Sequence, residues 1–202
     1  MNKVILVILL IISSFRISSQ ELDDFEKKIN ETKEEYILRV KQPEEVLTFK
    51  ILESYEWDLE NPSIISFYEI PRDSDNVSEI VGHIYMKQYD VKYYRNIVFG
   101  NFIGETLYPE IIDVFWLNID ADKEKEMFVL FKYFTRQYEF TGYIYDLAVL
   151  DNPTKYYDRL NSIDIFNNLF KTFEGISGDG IETTSIYKNK GDIIRKIQEL
   201  GY

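Results

Sequence analysis

The segment Met127–Phe134 constrains the fold most, because it is largely apolar on both faces of the strand that it predicts. Successive side chains of a β-strand point to opposite faces, and a strand that is buried on both faces lies inside a covered sheet. The amphipathic segment near the N-terminus is one obvious cover for it. One face carries Met127, Val129, Phe131 and Tyr133, and the other carries Phe128, Leu130 and Phe134.

Further strands are indicated by runs of β-branched and aromatic residues between turn signals. The segment Glu44–Glu56 has two interpretations. Pro43 and the two glutamates after it indicate the start of a helix, whereas the β-branched and aromatic residues that follow favour a strand. We adopt the strand. The other predicted strands are Ile64–Ile70, Glu79–Tyr89, Val91–Phe99, Ile111–Leu117 and Thr141–Leu150.

Helices are predicted before and after these strands in the chain. From Leu22 to Val40 apolar residues recur every three to four positions, and Pro43 ends the pattern. The sequence therefore predicts a single α+β domain over residues 20–202. Its sheet is mainly antiparallel and is flanked by N-terminal and C-terminal helices.

Two helices are predicted in the C-terminal part of the chain. Ser162–Phe173 has a stripe of apolar residues, and Ser162 is the expected N-cap. Asp192–Leu200 has the clearest helical pattern in the chain. Asp192 is the expected N-cap of this helix, and Gly201 is expected to end it at the C′ position.

Residues 1–19 have the pattern of a secretory signal peptide. Lys3 provides a positive start, and Val4–Ile12 is an unbroken apolar run of nine residues. This run is far shorter than the roughly 20 residues that a membrane-spanning helix needs. Cleavage is predicted before Gln20, so the mature chain has no predicted transmembrane span. A buried N-terminal helix or strand is the alternative, and export to the periplasm or the exterior is the prediction.

Composition limits both the chemistry and the partners of the chain. There is no cysteine, which excludes thiol catalysis and thiolate metal sites. The net charge is −12, and removal of Lys3 and Arg16 with the signal peptide makes the mature chain −14. An acidic domain repels phosphate backbones, so we predict no nucleic-acid partner, whereas cations and basic proteins suit it better. The acidity also serves solubility, which is the simpler explanation.

The sequence contains no catalytic motif, and no catalytic residue is predicted. His83 is the only histidine, which excludes a zinc site of several histidines within one chain. A Ser-His-Asp triad would have to use His83, but no Gly-x-Ser-x-Gly motif supports it. We predict that His83 has a packing or strand-surface role. The run Gly175–Gly180 lacks the Gly-Lys-Ser/Thr ending of a phosphate-binding loop.

The segment FWLNIDADKEKEMFVL, residues 115–130, has the most chemically suggestive pattern in the chain. Oxygen ligands at positions 1, 3, 5 and 9 of its loop are supplied by Asn118, Asp120, Asp122 and Glu126. Such ligands in a tight loop can converge on a hard cation such as Ca²⁺. The loop resembles the Asp-x-Asp-x-Asp-Gly-x-x-Glu calcium loops of FG-GAP and VCBS-type repeats in exported bacterial proteins. This resemblance implies that the four residues bind Ca²⁺.

The loop departs from that repeat pattern in two places. Lys123 stands where the repeats have glycine, and Asn118 replaces the first aspartate. Glycine takes a sharp bend most readily, and Lys123 and Lys125 bring positive charge beside the carboxylates. Two interpretations stay open, a Ca²⁺ site and a charged hairpin turn without an ion. The lysine at the glycine position favours the charged turn.

These observations predict an exported, non-catalytic protein that binds a protein or an envelope ligand. One version is an immunity-type inhibitor of a basic toxin. The closing segment Ile186–Lys190 and the last helix resemble small exported proteins of Gram-negative bacteria. Tyrosine suits protein interfaces and sugar-stacking surfaces, and it also covers sheet faces that are half in water. Two predicted hairpins are rich in it, with Tyr85, Tyr89, Tyr93 and Tyr94 in one and Tyr133, Tyr138, Tyr143 and Tyr145 in the other.

The alternative is a carboxylate-dependent hydrolase acting on envelope glycan. Such an enzyme needs two carboxylates about 5–9 Å apart in a concave cleft. The acids to inspect first are Glu105, Glu110 and Asp113, in a loop-rich stretch. A flat tyrosine-rich face without such a cleft would favour binding.

Overall fold

Two antiparallel sheets, with a helix near each end of the described chain, make up the protein. The computed structural model describes residues 27–71, 78–87, 94–103, 107–120, 122–151, 160–163, 166 and 169–202. The predicted signal peptide lies outside these residues. Neither of the two helices in the described ranges has the length and apolar character that crossing a bilayer requires.

The first sheet, sheet A, contains the five N-terminal strands in the order β1-β3-β4-β5, with β2 also paired to β3. The segment Glu44–Glu56 therefore forms two short strands separated by irregular chain, which agrees with its β-rich composition. The connection between the predicted strands Glu79–Tyr89 and Val91–Phe99, near Gln88–Asp90, lies outside the described residues. The strands are β1 (Val46–Leu47), β2 (Leu52–Ser54), β3 (Ser63–Pro71), β4 (Ser78–Lys87) and β5 (Tyr94–Ile103).

The second sheet, sheet B, has the order β10-β9-β8-β7-β6. Its three long strands confirm the predicted segments around Met127–Phe134, which lies in the middle of the sheet. The sequence indicated one sheet, whereas the residues that the structure describes form two. The strands are β6 (Leu107–Leu117), β7 (Glu126–Gln137), β8 (Phe140–Leu150), β9 (Thr172–Ser177) and β10 (Glu182–Thr183).

Helix α1 (Lys33–Val40) is shorter than predicted. Thr32 is its N-cap and forms a capping box with Glu35, which fixes the start of the helix. Residues 27–32 precede the helix, and the side chain of Ile29 is 93% exposed rather than part of a buried stripe. Positions 22–26 of the predicted helix lie outside the described residues.

Helix α2 (Lys190–Glu199) confirms the predicted C-terminal helix, with one correction. Asn189, not Asp192, is the N-cap, and its side chain accepts a hydrogen bond from the Asp192 backbone N–H. The prediction missed this because either residue type can cap a helix and both occur within one turn. Gly201 has a φ of 89°, as expected for a glycine that ends a helix.

The predicted helix Ser162–Phe173 is wrong in the residues that can be compared. Ser162 forms an antiparallel bridge with Leu150, and Thr172 and Phe173 belong to β9. The described residues between them form isolated turns. The apolar stripe is real, but it comes from two turns and a strand that pack on sheet B, with Phe166 and Phe170 buried there.

The sheets pack face to face, and each outer face is covered by a helix. Met127, Val129 and Phe131 of β7 lie in the core between the sheets. Phe128 and Leu130, on the other face of β7, pack with Ile193 and Ile197 of α2. Met127–Phe134 is thus covered on both sides as predicted, but the cover is sheet A and the C-terminal helix.

The N-terminal helix covers the other sheet instead. Tyr36 and Ile37 of α1 are fully buried against Ile64, Tyr68 and Tyr85 of sheet A. The four layers are therefore α1, sheet A, sheet B and α2.

Gly82 in β4 allows a close contact inside the core between the sheets. Its cross-strand partner is Phe99, and a Cβ atom at position 82 would lie only 2.2 Å from the Phe99 ring. The aromatic ring therefore occupies the space over the glycine. Any larger residue at position 82 would displace Phe99.

Candidate functional site

The β6–β7 loop brings three of the four predicted ligands together. Leu117 pairs with Glu126 at the base of the hairpin, so the loop spans 118–125. One carboxylate oxygen from each of Asp120, Asp122 and Glu126 lies within 4.8 Å of the others. The hairpin thus brings these three side chains together. We call Asp120, Asp122 and Glu126 the loop carboxylates.

Glu126 is the unusual member of the loop carboxylates, because it is fully buried. Its Oε2 accepts a hydrogen bond of 2.7 Å from the Ile119 backbone N–H. Its Oε1 is buried and has no hydrogen-bond partner among the described residues. A buried carboxylate oxygen without a partner is costly, so this atom requires an explanation.

The amide of Asn118 braces the loop. Its Nδ2 donates to the backbone oxygens of Asp122, at 2.8 Å, and Glu124, at 3.4 Å. The Asp120 and Asp122 carboxylates each accept a hydrogen bond from the backbone N–H two residues further on. The predicted ligand Asn118 thus has a structural role in holding the loop closed.

The loop turns without a left-handed residue at the position where glycine was expected. Among the described residues other than glycine, Asn30 alone has a positive φ, so Lys123 takes an ordinary backbone conformation. The positive charge of Lys125 is directed to a neighbouring segment, where its Nζ lies 2.7 Å from Glu56 Oε2. Two arguments against a bound cation came from the sequence, the missing glycine and the nearby lysine charges. Both arguments are weaker in the folded protein.

Burial and mutual repulsion disfavour the ionised form of the Glu126 and Asp122 carboxylates. Burial, and then the charges of Asp120 and Asp122, raise the pKa of Glu126 above its usual value, although the bond from Ile119 N–H opposes this. Partial loss of solvation and the adjacent Asp120 charge raise the pKa of Asp122. The loop carboxylates repel each other, and a cation would relieve that repulsion.

The chain between β2 and β3 contacts this loop from sheet A. The indole N–H of Trp57 donates to the Lys125 backbone oxygen at 2.7 Å, and the Trp57 ring packs edge-on against Trp116. Between the two segments lies a surface cleft of about 410 Å³, which we call the acidic cleft. Its lining residues are Glu56, Trp57, Asp58, Leu59, Glu60, Lys123 and Glu124.

Two carboxylates of the acidic cleft already have structural partners. Glu56 pairs with Lys125, as described above. Asp58 accepts hydrogen bonds from the backbone N–H groups of Glu60 and Asn61, at 2.9 and 3.0 Å. The side chain of Leu59 is 86% exposed at the cleft. The cleft therefore combines negative charge with an exposed apolar side chain.

His83 lies in a buried polar network on the outer face of sheet A. Its Nε2 lies 3.4 Å from Oε1 of the buried Glu45, and its Nδ1 lies 3.3 Å from the Tyr85 hydroxyl. The Asn96 Nδ2, which can only donate, lies 3.2 Å from the same Nδ1. These contacts hold the imidazole ring between Glu45, Tyr85 and Asn96.

Burial lowers the pKa of His83, although the charge of Glu45 opposes this. The packing role predicted for this histidine agrees with its position. Sequence reasoning missed Glu45, because it lies 38 residues away in an ambiguous segment. A single histidine in a predicted strand is the only signal that pointed to this network.

The two other sequence candidates that the structure describes both lie on β6 and have local partners. Glu110 pairs with Lys132 at 3.0 Å, and Asp113 accepts a hydrogen bond from the Val114 N–H. Glu105 lies outside the described residues.

The predicted tyrosine-rich surface is divided between the core and the solvent. Tyr85, Tyr133 and Tyr145 are buried, whereas Tyr138 is 100% exposed and Tyr143 is partly exposed. Tyr89 and Tyr93 lie outside the described residues. Of the five rings of these two hairpins that are described, three are therefore buried in the sheets and two face the solvent.

Comparisons with family models, with curated proteins and with solved structures gave no match to this chain.

Proposed function

We propose that this chain is an exported, non-catalytic binding protein that takes a cationic segment of a partner protein in the acidic cleft. The acidic cleft itself is the observation that supports this function, because four carboxylates and one ammonium group line a concave surface. A basic side chain entering the cleft would meet negative charge on both walls. Leu59 at its edge would give the partner an apolar contact.

Net charge supports the same kind of partner. The chain carries 35 acidic and 23 basic residues, so its overall field attracts positively charged proteins and speeds their association. An immunity-type inhibitor of a basic toxin is one protein of this class.

Two of the four carboxylates that line the acidic cleft are poor candidates for glycan hydrolysis. Hydrolysis needs one carboxylate free to act as an acid and another free to act as a base or nucleophile. In the acidic cleft, Glu56 is held by Lys125 and Asp58 by two backbone N–H groups. These partners favour a structural role for both side chains.

Export is part of the proposal and rests on residues 1–19. N-terminal sequencing of the protein from the periplasm or the medium should give Gln20 or a residue near it. A cytoplasmic protein that keeps Met1 would contradict the export proposal.

The binding proposal is tested with the mature protein, residues 20–202, and a synthetic Lys/Arg-rich peptide. The double variant Glu60→Gln/Glu124→Gln removes two charges from the acidic cleft. The control Glu139→Gln/Glu182→Gln removes two charges from exposed positions in the β7–β8 turn and in β10, outside the residues that line the cleft. We expect the cleft variant to raise Kd about tenfold and the control to change it less than twofold, as measured by calorimetry. Equal losses in both variants would show that only net charge matters and would overturn the proposal.

A further inference from the structure

We propose that the loop carboxylates Asp120, Asp122 and Glu126 form a Ca²⁺ site. This inference goes beyond the proposed function, because it concerns the β6–β7 loop itself and does not require a protein partner. The proposal combines two independent observations, the convergence of the three carboxylates and the unsatisfied oxygen of Glu126.

The spacing of the oxygens fits one ion. Calcium binds oxygen at 2.3–2.6 Å, so two ligands on opposite sides of one ion are at most about 4.6–5.2 Å apart. The three oxygens of the loop carboxylates lie within 4.8 Å of one another. All three can therefore contact the same ion with small side-chain adjustments.

Glu126 shows that the cluster is built to receive something positive. The carboxylate is fully buried, one oxygen is held by the Ile119 N–H, and the other has no partner among the described residues. A charged turn on the surface would leave its acids in water, where they need no partner. A bound cation gives the buried oxygen its missing partner and neutralises the repulsion between the three acids.

The lysines do not replace that cation. Lys125 is paired with Glu56, on the side of the loop that faces sheet A. Lys123 is exposed and lines the acidic cleft. Its backbone needs no left-handed conformation, so the missing glycine does not prevent the loop from closing around an ion.

The ligand chemistry selects calcium. The cluster offers carboxylate oxygen only, which suits a hard cation, and an irregular loop tolerates the variable geometry of Ca²⁺ better than the strict octahedron of Mg²⁺. Three protein ligands leave several positions to water, so the site should be weak. Extracellular calcium modules bind with a Kd of about 10⁻⁴–10⁻³ M, and we expect a Kd in this range for the loop carboxylates.

The first test measures Ca²⁺ binding by calorimetry and thermal unfolding of the mature protein. We expect a Kd in the range just given and a rise in Tm of about 3–6 °C at a Ca²⁺ concentration ten times Kd. The variant Asp120→Asn/Asp122→Asn should weaken binding at least tenfold. It should still fold, because asparagine keeps the Oδ1 acceptors that the loop N–H groups use. The matched control is Glu139→Gln/Glu182→Gln, which should bind Ca²⁺ like the wild type.

The second test uses tryptophan fluorescence, because the two tryptophans of the chain lie beside the loop. Trp57 donates to the Lys125 oxygen, and Trp116 packs against Trp57. Ca²⁺ should change the emission with the same midpoint as calorimetry, and Glu126→Gln should abolish the change. A Tm rise that is equal in wild type and in Asp120→Asn/Asp122→Asn would overturn the proposal. So would the absence of both binding heat and a Tm rise up to 10 mM Ca²⁺, a concentration about tenfold above the weakest expected Kd. Mg²⁺ acting as well as Ca²⁺ would also overturn it.

Discussion

The two outer faces of the sandwich are both covered by a helix, but by different chemistry. Under α2, sheet B presents Phe128, Leu130 and other apolar side chains to Ile193 and Ile197. Under α1 and the chain that follows it, sheet A presents the polar groups of His83 and Tyr85, with Glu45 buried beside them. The same arrangement, a helix packed on the outer face of a sheet, is therefore stabilised by different interactions on the two sides of the molecule.

The difference shows that buried side chains can act in two ways. Apolar side chains mainly add to the free energy of unfolding, whereas buried polar side chains also fix the position of the segment that covers them. Apolar packing stabilises in proportion to the area removed from water and tolerates small shifts of the helix. A buried polar network is stable only when each group meets its partner, so it fixes the position of the covering segment more strictly. On the α1 side, stability should therefore depend most on single hydrogen-bonding atoms. On the α2 side, it should depend most on the volume of the buried side chains.

The largest expected effect is loss of volume under α2. Phe128 is fully buried and stacks on Phe115 at 5.2 Å. Phe128→Ala should lower the free energy of unfolding by about 3–5 kcal/mol in urea denaturation, because it removes a large buried ring and leaves a cavity. Tyr138→Ala, at a fully exposed position, should change it by less than about 0.5 kcal/mol. A small effect at position 128 would mean that α2 can collapse onto the sheet.

A smaller effect is expected when one oxygen is removed under α1. Tyr85→Phe deletes the hydroxyl that contacts His83 Nδ1 and lies 3.5 Å from the Tyr68 hydroxyl. The loss should be about 1–3 kcal/mol, since buried partners are left unsatisfied while the ring volume is kept. Tyr143→Phe, at a partly exposed ring, is the matched control and should be close to neutral in the same denaturation experiment. Equal effects at both positions would contradict a special role for the network.

The pH dependence of stability should also distinguish the two faces. Burial lowers the pKa of His83 in the folded protein, so the unfolded chain binds more protons between the lowered value and the ordinary value near 6.5. Stability is therefore complete above about pH 6.5 and falls as the pH decreases through that window, by at most about 1.4 kcal/mol per pH unit. His83→Gln should flatten this part of the curve in urea titrations from pH 7.5 to 5. An unchanged slope would mean that His83 has no part in it.

The smallest effects are expected at the caps of the two helices. Thr32→Ala and Asn189→Ala should each lower the free energy of unfolding by about 1 kcal/mol, because each removes a side-chain acceptor for the first turn. Thr32→Ser and Asn189→Ser are the controls and should keep most of the stability. If α1 is fixed mainly by the polar network below it, the loss at Thr32 will be the smaller of the two.

The strands could be predicted because their signal is local. The segments around β3 and β8 were rich in β-branched and aromatic residues, and both strands are present. β3 is one residue longer than predicted at each end, and β8 is one residue longer at its start. The predicted helix Ser162–Phe173 failed because apolar spacing alone cannot separate a helix from turns and a strand that pack on the same sheet. Thr172 and Phe173 form β9 because they meet Tyr145 and Ile144 across the sheet.

The sequence predicted which acids form the candidate site, but not their burial or the partners of the nearby lysines. The spacing of Asp120, Asp122 and Glu126 predicted that their oxygens could meet, because a hairpin loop is a local structure. The burial of Glu126 depends on the packing of the β6–β7 hairpin within sheet B, and the pairing of Lys125 with Glu56 depends on a segment 69 residues away. No local pattern contains either fact.

By itself, the sequence determined the six long strands β3 to β8, the presence of a helix near each end of the domain, and which acids share one loop, since all of these depend on neighbours along the chain. Only the tertiary structure decided that there are two sheets rather than one, and that each helix covers a different sheet. It also decided that one face buries a histidine and a glutamate together. These outcomes depend on contacts between distant residues, where the free energy of burial is shared by the whole core and no single segment carries its signature.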